Sequence, residues 1–408
     1  MNALLILGSM VVAGYFLGEL AAKIGLPRVS GYILAGLALN PNLTGFVPQT
    51  FVASTGTLTH LSLAVLTFAV GGTLAFASLK ELGKGILFLA LGESEMSALL
   101  VTGGLLATLP FLVHLEGTYL TTILPLALLL GALASPTDPS ATLAVIHQYK
   151  AKGLVSFSIM ASAAVDDALG ILNFSFATMF ATLLVAHTAG GIGAFVEPLV
   201  AILGAIGLGI ACGLLFHFVP RLLRADADGL LLVLLVGLLA LAYGLSTALK
   251  LDELLSTMSM GVMVVNFGSH RDRVFRLLEN YVEPLVFVLF FTISGMLLDF
   301  QVLFRFFPVV LIFVLFRSLG KVGGAYLGAT IGRTSRNVRR YAGWGLIPQG
   351  GIVIGLALVL QRNSVFADLS SILVNVVIGA TVIHELIGPL TAKLAIVRSG
   401  EIGGGKSS

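Results

Sequence analysis

Apolar positions along this chain come in long unbroken runs, without the two-residue alternation that marks strands. Thirteen runs stand out, at roughly 2–25, 29–47, 56–78, 84–112, 118–146, 154–187, 193–219, 229–249, 254–268, 281–299, 306–331, 341–362 and 369–397. Most approach the ~20 residues that a helix needs to cross a hydrocarbon core of about 30 Å. The second and ninth are short enough to be partly re-entrant, and the sixth is long enough to tilt or overhang. The pattern predicts an all-α polytopic membrane protein of about thirteen transmembrane helices. The ten-residue alternation of an outer-membrane barrel is absent from the sequence.

Two runs carry breakers in their middle. The fifth reads GALASPTDPSATLAV, with Pro136 and Pro139 around Thr137 and Asp138; the twelfth reads GLIPQGGIVIG, with Pro348, Gly350 and Gly351. Proline removes a backbone donor and clashes with the preceding turn, and glycine relaxes the backbone, so both helices are expected to unwind there. Unwound backbone survives at membrane depth only where protein buries it or water reaches it. The broken runs are seven apart, and an odd offset makes them traverse the bilayer in opposite directions. That is the arrangement of an inverted repeat, runs 1–6 against 8–13 with the seventh as connector, and paired interrupted helices point to a transporter binding site.

Composition narrows the class. Hydrophobic residues make up 57% of 408 and charged ones 11%, which excludes an ordinary soluble domain. The 48 glycines fit close helix–helix approach. The single cysteine, Cys212, excludes a disulfide framework and a thiolate metal site, and reads as a packing residue. A net charge of +3 does not imply nucleic acid, because the basic residues sit in short loops. With the N-terminus outside, eighteen of the 23 Lys and Arg residues fall on the cytoplasmic side. Lys250, Arg305 and Arg362 fall outside, and Arg317 and Lys321 lie within a run. This asymmetry predicts a multi-pass protein of the inner (cytoplasmic) membrane with its C-terminus inside. Residues 1–25 lack a positive leader region and an obvious cleavage site, so they are expected to form a retained helix, and 401–408 a short cytoplasmic tail.

The chemistry centres on Asp166 and Asp167, about a dozen residues inside the sixth run, with no Lys or Arg after Lys152 to neutralise them. A charge at the bilayer centre costs at least ~3 kcal/mol on insertion scales, so such residues usually mark an ion or proton pathway. Asp166 lies about 20 Å along its helix and Lys321 about 22 Å along its own, which places both near the midplane. Neighbouring residues differ by about 100° around a helix, so one aspartate is expected to face a cation cavity and the other Lys321. A carboxyl so placed holds a proton or a small cation, but not both at full occupancy, and that competition is enough for exchange.

At the break in the fifth run, Asp138 can compensate an exposed helix N-terminus while freed carbonyls and the Thr137 hydroxyl coordinate a cation. The plainer alternative is a turn in which Asp138 only caps a half-helix. Lys321 is expected to compensate exposed carbonyls or to pair with Asp166. Arg317, one turn earlier, is a second charge-compensating candidate, or a structural partner for Glu93, Glu95 or Asp299. Glu93 and Glu95 read as water-facing or structural, and Glu19 and Glu385 as structural. His60, His114, His147, His187, His217 and His270 fall near run ends, and His384 reads as structural. No His or Cys pair has metal-ligand spacing and no Walker A loop is present, so neither a cofactor nor ATP is expected.

In their order along the chain these fragments resemble the monovalent cation:proton antiporter superfamily, specifically its two-aspartate sodium/proton branch. GLPRVSGYILAGLALNP resembles the family's second-helix signature, ASPTDPSATLAV its unwound fifth helix and SAAVDDALG its two-aspartate helix. FFTISGMLLDF, RSLGKVGGAYLGA, GLIPQGGIVIG and HELIGPLTAKLAIVRSGE also match in order. The resemblance implies a homodimer, with a dimer or scaffold domain (roughly 1–55 and 193–268) and a mobile core (roughly 56–187 and 281–397) that moves in an elevator-like way. It implies that Asp167 is the main cation and proton carrier and that Asp166 pairs with Lys321. Thr137 and Asp138 belong to the crossover, so transported Na+ is expected at Asp167, Asp138 and Thr137. It also implies electrogenic exchange of two protons per sodium. Two departures stand out: Thr73 replaces an acid that many relatives carry, and Arg317 is an added charge beside Lys321. The short stretch after the last run leaves out the nucleotide-binding domain of potassium-efflux relatives, so that regulation is not expected.

The expected protein is thus a secondary active antiporter, not an enzyme, exchanging Na+ or Li+ for protons. A K+/H+ antiporter would keep every feature named. A sodium-coupled symporter of organic anions shares this type of scaffold, and a channel or sensor is disfavoured by the paired broken helices.

Overall fold

In the computed structural model the described residues are 2–24, 28–112, 118–138, 142–143, 145–146, 149–185, 193–223, 227–268, 270–349 and 352–402. Pro139, Gly350, Gly351, His114, His147, His187, Arg224, Lys406 and the tail past residue 402 lie outside them. Each of the thirteen expected runs contains a principal helix. These are α1 Ala3–Lys23, α2 Arg28–Ala38, α3 Gly56–Thr73, α4 Phe76–Leu112, α5 Leu124–Ala132, α6 Leu154–Val185 and α7 Gly193–Leu223. They continue as α8 Asp228–Ala248, α9 Glu253–Phe267, α10 Glu283–Met296, α11 Phe307–Ile331, α12 Ile352–Arg362 and α13 Ala367–Ser399. Among the described residues nine helical stretches are long and apolar enough to cross a membrane. Three shorter apolar ones, Tyr119–Ala132, Glu253–Phe267 and Ile352–Gln361, fall in the fifth, ninth and twelfth runs. The second run yields only the 11 residues of α2, too few to span. The 32 residues of α6 exceed a bilayer core, as expected. Cys212 is buried in α7.

The chain forms two compact units. One comprises Met1–Tyr15, Ala35–Glu81 and Thr188–Met296; the other comprises Phe16–Leu34, Leu82–His187 and Leu297–Ser408. The first unit thus gathers 56–81 and 281–296 with 193–268. The reason is backbone proximity. A Cβ added to Gly71 of α3 would lie 2.0 Å from the Met258 carbonyl, and one on Gly261 of α9 would lie 2.2 Å from that of Phe68. Thr67 and Thr257 share a 2.6 Å hydrogen bond across the same contact. The Asn40 amide donates to the carbonyls of Gly295 and Met296, tying the residues after α2 to the end of α10.

In the second unit α4 and α11 touch along a stripe of glycines four residues apart. Gly320, Gly324, Gly328 and Gly332 face Ser97, Gly92, Phe88 and Gly85 in turn; a Cβ on Gly328 would lie 2.0 Å from the Phe88 carbonyl. Small residues at i, i+4 are what permit such contact between membrane helices. The residues just past α13 close the N-terminus of α6. Gly400, at φ 80°, turns the backbone in the left-handed region, and the Glu401 carboxylate accepts the N–H groups of Val155 (2.6 Å) and Ser156 (2.8 Å). An anion is favoured at that position by the helix dipole. Glu19 forms an exposed 2.8 Å ion pair with Arg28.

Candidate functional site

Both expected breaks are present. The helical hydrogen-bond ladder stops after Ala132 and again after Leu346. The two unwound stretches then meet, antiparallel, through a bridge between Thr137 and Gln349, with the Asp138 N–H donating to the Pro348 carbonyl at 3.2 Å. Two discontinuous helices therefore cross, running in opposite directions.

Freed carbonyls at such a crossing need donors, and the wholly buried Arg317 supplies them. Its Nε reaches the Ala134 carbonyl (3.0 Å), Nη1 that of Ile347 (2.5 Å), and Nη2 those of Pro136 (2.6 Å) and Pro348 (3.2 Å). One guanidinium thus holds both unwound segments. The acid partners considered for it are engaged elsewhere: Glu93 binds Lys321, Glu95 accepts from Asn173 at 3.1 Å, and Asp299 caps the helix that follows it. Carbonyl compensation, expected of Lys321, falls mainly to Arg317.

Lys321 pairs with Asp166, as the sequence suggested, at 2.9 Å. Its ammonium also bonds Glu93, the Ser135 carbonyl and the Thr137 hydroxyl, the last at 2.9 Å. Thr137 in turn donates its hydroxyl to Asp166 Oδ2 at 2.5 Å and its N–H to Oδ1 at 3.2 Å. Glu93, Asp166 and Lys321 are all fully buried, which corrects the water-facing reading of Glu93.

Asp167 is placed differently. It does not join the lysine pair, and its Oδ1 is buried with no hydrogen-bond partner among the described residues. It lies within electrostatic reach of Asp166, Asp138 and Lys321. The two aspartates therefore occupy separate environments, as one helical step requires. Asp138 is 7% exposed and lies within electrostatic reach of Glu385, whose Oε1 is buried with no hydrogen-bond partner among the described residues. Beside it His384 contacts the Gln349 side chain through Nδ1 at 2.9 Å, which fixes the crossing segment from α13.

Five carboxyls (Glu93, Asp138, Asp166, Asp167, Glu385) thus surround two cations, Arg317 and Lys321. Fully ionised, the group carries three uncompensated negative charges in a medium that tolerates none. Protons or cations from outside the chain must make up the difference. Sequence reasoning missed Glu93 and Glu385 as members. The glycines at four-residue spacing on α11 were the available signal for Glu93, since they bring α4 alongside. For Glu385 it was an acid deep in α13 with no basic residue before Lys393.

Two crossed, interrupted helices with surplus buried acids define an ion-coupled membrane transporter. The model of the family described as sodium/hydrogen exchanger, transmembrane, matches residues 8–394, and the chain belongs to that family. The family is one of transporters, not enzymes. The fold is similar to that of the sodium proton antiporter MjNhaP1 from Methanocaldococcus jannaschii. Its structure at pH 8 has a TM-score of 0.75 and 18% identity, covering 97% of this chain and 98% of that one. A structure from an electron-microscopy map of the same antiporter gives a TM-score of 0.73 and 18% identity, with all of both chains covered. At that identity the likeness establishes the fold alone.

Proposed function

We propose that the protein is a secondary active antiporter that exchanges Na+ or Li+ for protons, with cation and proton competing for Asp167. The observation that carries this reading is the buried, unpartnered Oδ1 of Asp167 beside a crossover of unwound backbone. A buried carboxyl oxygen with no donor is relieved either by a proton or by a cation. Among the described residues no three His, Cys, Asp or Glu side chains converge as a metal site. A transported cation therefore takes its ligands from Asp167, Asp138 and oxygens of the unwound segment near Thr137. The Thr137 hydroxyl is committed to Asp166 and Lys321, so it joins the cation only when that network opens.

In the proposed cycle Asp167 loses its proton to one side, a cation replaces it, and the site-bearing core carries the neutralised site across in an elevator-like motion. The resemblance of the sequence to two-aspartate antiporters supports this motion and a homodimer. The crowding of Lys and Arg into alternate loops supports the cytoplasmic membrane, with the N-terminus outside.

Purified protein in proteoliposomes, loaded with a pH-sensitive dye and challenged with Na+, Li+ or K+, tests the reading with and without an imposed voltage. Na+ or Li+ gradients are expected to drive proton movement. Cation uptake indifferent to the proton gradient would refute antiport, K+ alone as substrate would move the protein to K+/H+ exchange, and uptake dependent on an organic anion would indicate symport.

A further inference from the structure

Glu93 of α4 lies on Lys321 of α11. Its neighbour Gly92 supplies the close approach of α4 to α11, with a Cβ there falling 2.5 Å from the Gly324 carbonyl. Yet Glu93 is wholly buried, and its carboxylate lies on Lys321. A buried charge of this kind costs several kcal/mol before its pairing is counted. Packing alone does not explain it.

The hydrogen-bond count of Lys321 does. An ammonium has three hydrogens to donate. Four acceptors surround Nζ: Glu93 Oε2, Asp166 Oδ2, Thr137 Oγ1 and the Ser135 carbonyl. The site is oversubscribed by one, so an acceptor can leave without orphaning a hydrogen. Two of the four, Asp166 and Thr137, adjoin Asp167 and Asp138, where the cation is proposed to bind. Two carboxylates on one ammonium repel, which lowers the cost of detaching either. If Asp166 leaves, Glu93 still neutralises Lys321. Without Glu93 the same movement strands a buried ammonium, which is strongly unfavourable once its partner is gone.

We propose that Glu93 is a positioning residue of the exchange cycle: it retains Lys321 when Asp166 turns toward the incoming monovalent cation. The inference rests on the antiport reading above and adds a residue to it. Glu93→Gln leaves Asp166 as the only carboxylate on Lys321, so the contact that opens in every turnover becomes the one that holds the lysine. The consequence is kinetic. A residue kept only for stability has the opposite signature.

Glu93→Gln and Glu93→Asp, reconstituted beside the wild type, decide between these. The measurements are the maximum rate of Na+-driven proton movement per folded molecule and the melting temperature in detergent. Glu93→Gln is expected to lose at least tenfold in maximum rate with no fall in melting temperature, and Glu93→Asp to recover most of the rate. A rate within twofold of wild type in Glu93→Gln overturns the inference. So does a lowered melting temperature with unchanged turnover, or a variant that fails to fold, since Lys321 then needs both carboxylates for stability alone. Absence of exchange in the wild type is a separate result and counts against the antiport reading itself.

Discussion

Replacing Arg317 by alanine removes a side chain that binds both unwound segments. Of its four acceptors, the Ala134 carbonyl keeps a contact from the Ser97 hydroxyl at 3.3 Å and the Pro348 carbonyl keeps the Asp138 N–H at 3.2 Å. The carbonyls of Pro136 and Ile347 have no other donor in the bonds described above. Leaving a buried acceptor unsatisfied costs about 1–3 kcal/mol, so these two alone account for about 2–6 kcal/mol. That is a large share of the 5–15 kcal/mol that typically separates folded from unfolded protein. At roughly 2–4 °C per kcal/mol, the melting temperature of Arg317→Ala is expected to fall by on the order of 10 °C. Arg317→Lys is expected to fall between the two, because an ammonium lacks the planar fork that reaches both segments at once. Thermal unfolding in detergent, followed by size-exclusion chromatography after heating, measures this directly. A melting temperature within 2 °C of wild type, with exchange intact, would show that the crossover does not depend on the guanidinium.

Lys321→Ala leaves Glu93 and Asp166 buried together without a cation, and is expected to lower the melting temperature or to change the number of protons exchanged per cation. The melting temperature and the zero-flux voltage of exchange read the two outcomes, and if neither changes the paired arrangement is wrong. Gly328→Val drives a side chain against the Phe88 carbonyl, whereas an added Cβ at Gly323 meets nothing within 4 Å. Folded yield is expected to collapse in Gly328→Val and to be unchanged in Gly323→Ala; equal yields would remove the close α4–α11 contact from the account. Glu401→Gln removes the charged cap from α6 and is expected to cost about 1 kcal/mol, seen as a drop of a few degrees in melting temperature. No change in that variant would mean that water caps the helix equally well.

The crossover was readable because proline and glycine act locally: Pro136 and Pro348 break a helix wherever the chain goes next. Asp166 and Asp167 were readable because an acid inside an apolar run is costly to bury and so marks a place where charge is used. Depth showed that an aspartate of the doublet can meet Lys321, since residues at one height can pair; that it is Asp166 came from the family resemblance. Rotation about the helix axis was harder. Depth says nothing of whether Glu93 faces Lys321 or lipid; only the glycine stripe on α11 decides it, and its partner surface lies more than 200 residues away in sequence. The role of Arg317 was hidden for another reason. Its partners are carbonyl oxygens, which every residue carries, so no residue type announces them. The capping of α6 by Glu401 and the approach of Glu385 to Asp138 likewise join distant parts of the chain, where spacing carries no information. The packing of 56–81 with 193–268 was hidden for the same reason, because the Gly71–Gly261 contact joins distant parts of the chain.

The central claim is that one carboxyl, Asp167, accepts either a proton or a cation. The apparent affinity for Na+, measured across a pH series with the purified protein on a solid-supported membrane, tests it most directly. Competition predicts a half-saturating Na+ concentration that rises with acidification, approaching about tenfold per pH unit once Asp167 is mostly protonated, while the maximum rate stays level. It also predicts that Asp167→Asn abolishes the signal in a folded protein. A half-saturating concentration that ignores pH, or near-normal exchange by Asp167→Asn, would contradict the account.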